Sequence, residues 1–197
     1  IKWSGQYEYM LRAQEKLSYV LPLTLLIIIV LLYLNFKNIA EVAIIMGTLP
    51  LAMIGSIWLI YWEGFNFSVA VGVGFIALAG VAVEIGVIML VYLNQAFNRM
   101  LEECSDQGIK PTQDGLFSAV LNGAALRVRP VMMTAATIII GLMPILYGVG
   151  TGSEVMSRIA APMVGGMVSV LFLTLLILPV IYLIYRRAQL RKRFGGF

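Results

Sequence analysis

One carboxylate, Glu84, stands inside a long apolar stretch of the sequence. The segment FSVAVGVGFIALAGVAVEIGVIMLVYL has no other charged side chain, and the next charge after it is Arg99. An ionised carboxylate at the centre of a bilayer costs at least about 2.5–3.5 kcal/mol, so Glu84 is expected to face the interior of a helix bundle, protonated or paired. We therefore predict that Glu84 takes up and releases a proton; the alternative is a permanently protonated side chain that only makes hydrogen bonds.

Two hydroxyl groups recur at helical spacing further along the chain. Thr134 and Thr137 fall on one stripe with Gly141 and Pro144, and this stripe has no bulky side chain. A hydroxyl can orient or pass a proton for a neighbouring carboxylate, although threonine in a membrane helix also commonly bonds the carbonyl four residues earlier. Arg127, seven residues before Thr134, either biases a proton path or marks the boundary of a membrane span.

Sulfur is the main soft ligand that the sequence offers. There are eleven methionines, one cysteine and no histidine. Thioethers suit Cu(I) and Ag(I), but methionine is also a flexible filler of apolar gaps. Met156 differs from the others because it lies beside Glu154 in a glycine-rich link, whereas Cys104 stands alone and can form neither a disulfide nor a thiolate cluster within the chain. Methionines interpreted as filler include Met46, Met53, Met89 and Met167.

The composition is that of a membrane protein. Of the 197 residues, 60% are hydrophobic and 12% are charged, whereas soluble domains are about 45–50% apolar and about 25% charged. Apolar runs of about 20 residues, long enough to cross a bilayer, are predicted at 17–36, 39–62, 67–97, 131–149 and 159–185. The expected fold class is an all-α integral membrane bundle of five helices. No phosphate-binding loop, Ser-His-Asp set or zinc motif occurs to support an enzyme.

Basic residues indicate the orientation of this bundle, because short cytoplasmic loops collect them. One predicted end has ten: Lys37, Arg99, Lys110, Arg127, Arg129, Arg186, Arg187, Arg191, Lys192 and Arg193. The other end has four: Lys2, Arg12, Lys16 and Arg158. We therefore predict a cytoplasmic C-terminus with an anchoring basic tail at 186–197 and an external N-terminus. Because no targeting signal precedes the first span, the chain is expected to be the back half of a longer membrane protein.

Three segments lie between or before the predicted spans. Residues 1–16 include an amphipathic lead-in expected to continue into the first span. Residues 98–130 form the only long loop, whose second part has an apolar period near 3.6 residues and predicts a helix lying on the cytoplasmic face. Residues 150–158 are rich in glycine and predict a bent external link.

Three segments of the sequence are long and unusual: ALAGVAVEIG, RVRPVMMT and GSEVMSRIAAPM. They resemble the last membrane helices of the resistance-nodulation-division (RND) efflux pumps, in particular the copper/silver pumps of the heavy-metal branch. The resemblance covers essentially the whole chain, makes the five spans helices eight to twelve, and makes residues 1–16 the exit from a large periplasmic loop. It implies a bacterial inner-membrane homotrimer that joins a periplasmic adaptor and an outer-membrane channel. It also implies export of a heavy-metal cation, with Cu(I) or Ag(I) favoured, in exchange for protons, and neither a permanently bound cofactor nor nucleic acid as a partner.

The resemblance further implies roles for particular residues. Glu84 matches the intramembrane acid of helix ten in this family. Thr134 and Arg127 match positions associated with a proton relay, and Met156 matches a methionine associated with passing the metal to the periplasm. One position departs from the pattern, because Val131 stands where close relatives have a lysine. The partner of Glu84 is therefore expected in helices one to seven, which this sequence does not contain.

Two alternatives remain open at this point. The first is a pump of the same kind that exports another metal or an organic substrate. The second is a bundle that does not transport and serves only in assembly.

Overall fold

The computed structural model describes residues 6–106, 108 and 112–194, and for residues 6–10, 13, 14 and 192–194 it describes only the course of the helix. The elements in chain order are α1 (Gln6–Phe36), α2 (Ile39–Trp62), α3 (Val69–Asp106), α4 (Gln113–Leu146), α5 (Ser153–Phe172), a π turn (Leu173–Ile177) and α6 (Leu178–Phe194). The π turn joins α5 and α6 into one continuous helical segment.

Five segments of the described chain are long and apolar enough to cross a membrane. They are Glu15–Phe36, Ile39–Trp62, Val69–Asp106, Gln113–Leu146 and Ser153–Arg191. The predicted all-α bundle with five spans is therefore confirmed. The bundle has a basic end, at which α1, α3 and α6 finish and α2 and α4 begin, and an opposite end.

The long loop differs from the prediction of a separate surface helix. Residues 113–130 form the first half of α4, which continues through Pro130 to Leu146. Leu116 and Val120 are buried in a core cluster with residues of the C-terminal part of α3, including Phe97. One apolar stripe of this segment therefore packs against α3, and the segment is continuous with the membrane-spanning half of α4.

A two-residue turn sets the angle between α1 and α2. Lys37 has a positive φ of 51°, and Asn38 follows as the N-cap of α2. The Asn38 side-chain oxygen accepts a hydrogen bond from the Ala40 amide at 3.1 Å, which satisfies one of the free donors at the helix start. The polar side chains near this turn thereby acquire fixed positions at the basic end.

The α5 helix is central to the bundle because small residues let it approach α2 and α3 closely. A Cβ built on Gly165 would lie 2.5 Å from the Gly55 carbonyl oxygen and 2.6 Å from the Leu59 Cβ. A Cβ on Gly74 of α3 would clash with the ring of Pro162. The buried Ser56 hydroxyl donates to the Pro162 carbonyl at 2.6 Å. Backbone packing of this kind drives helix association in lipid, where apolar side chains gain little from meeting one another.

The π turn between α5 and α6 has a local cause. Pro179 has no amide hydrogen, and in a regular α-helix its ring would clash with the carbonyl of Leu175. The Leu178 amide instead donates to the carbonyl of Leu173, five residues earlier. The wider turn accommodates the proline without ending the helix.

Gly165→Ala is expected to destabilise the protein. Overpacking costs about 1–3 kcal/mol, which exceeds the gain of up to about 1 kcal/mol from replacing a helical glycine with alanine. Gly141→Ala is the matched control, because a Cβ there meets nothing within 4 Å. We expect a lower midpoint of thermal unfolding in detergent for Gly165→Ala and an unchanged or higher one for Gly141→Ala; equal midpoints would contradict the close packing of α5.

Candidate functional site

Glu84 lies on the surface of this bundle. Its side chain is exposed on α3 and makes no hydrogen bond or ion pair with any residue that the structure describes. The structure thus differs from the expectation of an interior position within the bundle. Gly80, one turn earlier on the same stripe, is also exposed, and a Cβ on it would meet nothing within 4 Å. The chain therefore leaves this carboxylate on a face that a further helix could approach closely.

Thr134 and Thr137 are likewise exposed on α4. The Thr134 hydroxyl donates to the Pro130 carbonyl at 3.1 Å, and the Thr137 hydroxyl donates to the Met133 carbonyl at 2.8 Å. Each hydroxyl thus uses its hydrogen within its own helix, and its oxygen can still accept a hydrogen bond. A Cβ on Gly141, on the same stripe, would meet nothing within 4 Å.

The structure brings the helices of Glu84 and Thr134 together without joining the two side chains. Ile85, the neighbour of Glu84, and Ala135, the neighbour of Thr134, belong to one buried cluster. Val131 is buried in the same cluster. Glu84 and Thr134 therefore border the same contact between α3 and α4, and neither hydrogen-bonds to the other.

Arg127 is half-buried near the middle of α4. Its guanidinium lies over the ring of Tyr92, 4.2 Å from the centroid. Cation–π contacts of this kind stabilise a cation away from bulk water. The Nε atom of Arg127 is buried and has no hydrogen-bond partner in the described part of the chain. The charge thus sits where α3 and α4 meet, on the basic side of Thr134.

Met156 and Glu154 are both exposed in the first turns of α5, at the opposite end. The Met156 side chain is 57% accessible, so its sulfur is free of the core. Met89 and Met167, by contrast, are buried in core clusters, which fits their interpretation as filler. Within the residues that the structure describes, no three His, Cys, Asp or Glu side chains are grouped as metal ligands.

The sequence interpretation missed a buried polar network at the basic end. Glu41 of α2 and Arg186 of α6 are 3% and 9% accessible. The Arg186 Nη2 atom lies 2.9 Å from the Glu41 Oε1 atom. Asn94 of α3 joins them, because its Nδ2 atom donates to Glu41 Oε2 at 2.7 Å and its Oδ1 atom accepts from Arg186 Nη2 at 2.5 Å. A buried charge pair thus connects three helices.

Further contacts satisfy the remaining polar atoms of this network. Tyr182 donates its hydroxyl hydrogen to Asn94 Oδ1 at 2.6 Å and accepts from Arg186 Nε at 3.0 Å. Asn38, the N-cap of α2, donates to Glu41 Oε1 at 3.1 Å. The Arg186 guanidinium also stacks over Phe97, 4.6 Å from the ring centroid. Every charged group is therefore paired and hydrogen-bonded, which is the condition under which a buried ion pair is tolerated.

A weaker polar contact lies at the opposite end. The Tyr147 hydroxyl donates to Glu63 Oε1 at 3.2 Å and links the ends of α4 and α2 on the surface. The Glu63 carboxylate raises the pKa of Tyr147 above its usual value of 10.0. The phenol therefore stays protonated through neutral pH, and the contact is lost only as pH rises through that higher value.

These features define the class of protein. The described chain is a five-span membrane bundle that leaves an acid on the surface of α3 and two hydroxyls on the surface of α4, beside exposed glycines. Residues 1–186 match the AcrB/AcrD/AcrF family, and the chain belongs to this family of RND efflux transporters.

Individual relatives place the chain in the heavy-metal branch. It is 51% identical over 182 residues to the putative cation efflux system protein SilA of Salmonella typhimurium and to the cation efflux system protein CusA of Escherichia coli K12, which covers 92% of this chain and 17% of each relative. It is 39% identical over 185 residues to the cobalt-zinc-cadmium resistance protein CzcA of Cupriavidus metallidurans, covering 94% of this chain and 16% of that one. The resemblance to heavy-metal RND pumps is confirmed, and the chain spans only about 17% of the length of these two first relatives.

A solved structure agrees with this placement. The crystal structure of a heavy metal efflux pump in crystal form II superposes with a TM-score of 0.76 at 36% identity. The superposition covers 93% of this chain and 17% of that pump. The five-span arrangement therefore corresponds to part of the membrane region of a much longer protein.

Breaking the buried ion pair on one side is expected to be more harmful than removing both charges. Arg186→Gln or Glu41→Gln leaves one buried charge unpaired, which costs about 3–5 kcal/mol. The double substitution leaves no charge, and two amides can still bond to Asn94. Thermal unfolding of the two single variants and the double variant measures the coupling; additive losses would contradict a direct interaction.

Proposed function

We propose that this chain supplies five membrane helices of a proton-driven heavy-metal efflux pump, with Cu(I) or Ag(I) as the favoured cation. Membership of the RND family supports the transporter class. The chain is more similar to the cation efflux proteins SilA and CusA than to the cobalt-zinc-cadmium resistance protein CzcA. Together with the resemblance to copper/silver pumps, this favours a monovalent soft cation over cobalt, zinc or cadmium. The main support for the proposed mechanism is the exposed position of Glu84 on α3.

Glu84 is proposed to carry the driving proton. An ionised carboxylate in the membrane requires a counter-charge, whereas a protonated one does not. Since the described residues offer Glu84 no partner, the counter-charge would come from helices of the full-length pump packed on this face. The open glycines Gly80 and Gly141 allow such close packing. Protonation would then release Glu84 from that partner and favour a second arrangement of the helices.

Thr134 and Arg127 are proposed to assist this proton transfer. The Thr134 oxygen remains an acceptor beside the contact between α3 and α4, although its hydrogen is bound to the Pro130 carbonyl. Arg127 would hold positive charge on the basic side of the path, fixed over Tyr92. Its role is electrostatic, since a guanidinium keeps its proton.

Met156 is proposed to contact the metal at the opposite end. A thioether binds soft monovalent cations without needing to lose a proton. Its exposure at the start of α5 leaves the sulfur able to share a cation with ligands from other parts of the pump. The metal is substrate in this proposal and not a resident cofactor.

The proposed location is the bacterial inner membrane, with the basic end in the cytoplasm. The distribution of Lys and Arg supports this orientation. The full-length protein is proposed to be a homotrimer that works with a periplasmic adaptor and an outer-membrane channel, as the family resemblance implies. The first half of the transporter and the lipid bilayer are its other partners.

Glu84→Gln in the full-length pump is expected to abolish proton-coupled metal export, because the amide cannot take up or release a proton. Proteoliposomes loaded with a pH-sensitive dye would report proton movement on addition of Cu(I) or Ag(I). Glu63→Gln is the control, because it changes a surface carboxylate outside α3. Undiminished export by Glu84→Gln at equal protein level would end the proposed role.

Met156→Leu is expected to raise the half-saturating concentration of Cu(I) several-fold while the maximal rate stays near that of the unchanged pump. Leucine keeps the volume and apolar character but removes the sulfur. Met133→Leu is a suitable control, because Met133 is 66% accessible but lies on α4. Transport assays over a range of Cu(I) concentrations give both parameters, and equal effects of the two substitutions would argue against a metal contact at Met156.

A further inference from the structure

Asn94 occupies a special place in the buried network at the basic end. It is the residue of α3 that bonds to both charges: its amide nitrogen donates to Glu41, and its amide oxygen accepts from Arg186. An amide donates through nitrogen and accepts through oxygen, so a carboxylate on one side and a guanidinium on the other permit a single orientation. The Tyr182 hydroxyl donates a second hydrogen bond to the same oxygen, which is the third bond of the Asn94 side chain. The side chain is therefore held from α2 and from α6 together.

The helix that carries Asn94 is well suited to transmit this constraint. α3 runs through 38 residues and contains no proline, whereas α2, α4 and α5 each contain at least one. Asn94 follows Glu84 by ten residues, which is about 15 Å along an α-helix. No proline or π turn interrupts α3 between the two residues, so a fixed Asn94 constrains the depth of Glu84.

The network is also strong enough to act as an anchor. Glu41 and Arg186 are almost fully buried, and hydrogen bonds to charged groups are stronger away from water. Around Glu84, by contrast, the described chain provides open space and no polar contact. α3 is thus fastened to its neighbours at the basic end and left free on the face that bears the acid.

From this arrangement we infer that Asn94 is a positioning residue for Glu84. The Glu41–Arg186 pair, acting through Asn94, fixes the basic-end half of α3 along its axis, and it thereby contributes to the distance between the Glu84 carboxylate and its partner in the full-length pump. This inference rests on the proposed role of Glu84. It gives Glu41, Asn94 and Arg186 an effect on the rate of proton-coupled export although none of them contacts the proton path.

Asn94→Leu in the full-length pump separates α3 from the network, because leucine cannot bond to either charge while the Glu41–Arg186 contact of 2.9 Å remains. A misplacement of about 1 Å can lower a rate by about a hundredfold, and we expect the maximal rate of Cu(I) export to fall ten- to a hundredfold. The half-saturating Cu(I) concentration should stay unchanged. The infrared band of the Glu84 carboxyl group, identified by its loss in Glu84→Gln, should also shift.

Tyr147→Phe is the matched control, because it removes a hydrogen bond between α2 and α4 that does not involve α3. It should leave the rate and the infrared band unchanged. Asn94→Ala serves as a second variant that removes the amide without adding bulk, and the same results are expected from it.

Two outcomes would overturn the inference. One is a normal maximal rate per folded pump for Asn94→Leu or Asn94→Ala, with only a lower unfolding temperature. The other is an unshifted Glu84 band in both variants. If Glu84→Gln abolishes export while the Asn94 variants behave normally, the positioning role alone fails. If Glu84→Gln exports metal normally, the proposed function of Glu84 itself fails.

Discussion

A charged side chain within a membrane bundle must be paired with an opposite charge or protonated. The chain meets this requirement differently at its two acids Glu41 and Glu84. Glu41 meets it with a fixed partner, because Arg186, Asn94 and Asn38 satisfy its oxygens at the basic end. Glu84 has no partner in the described residues. Glu41 therefore makes a permanent ion pair, whereas Glu84, under the proposed function, makes a contact whose partner can change. A permanent ion pair holds helices together, whereas a carboxylate whose partner can change is able to take up and release a proton.

Much of the fold could be predicted from the sequence, because hydrophobicity over about 20 residues is a strong signal in lipid. The span at 39–62 coincides with α2, and a long apolar run containing Glu84 became α3. The continuous helix α4 was harder to foresee. Its first half carries an apolar stripe whose partner could be a membrane surface or another helix, and only the extension of α3 beyond residue 97 decides between them.

The sequence suggests individual candidate residues but not how they are arranged in the fold. Glu84 is conspicuous because of what surrounds it in the sequence, and its stripe with Gly80 follows from helical spacing. Glu41 and Arg186 are 145 positions apart, and each lies near the end of a span, where charges are common. The pattern Asn38 followed three residues later by Glu41 resembles a helix-capping signal and was the only local hint. Pairing across the bundle depends on tertiary packing, which local spacing does not contain.

The π turn determines the direction in which the side chains of the last helix point. Each residue of an α-helix turns the chain by about 100°, so one residue more or less rotates everything that follows. The turn at Leu173–Ile177 lets one continuous segment present Gly165 to α2 on one side of it and Arg186 to the same helix on the other. Had these five residues formed a regular α-helix instead, each would have turned the chain further, and Arg186 would point roughly a quarter of a revolution away from Glu41. Straightening this turn into a regular α-helix without removing a residue would thus misdirect a contact a dozen positions downstream, although neither charge had been altered.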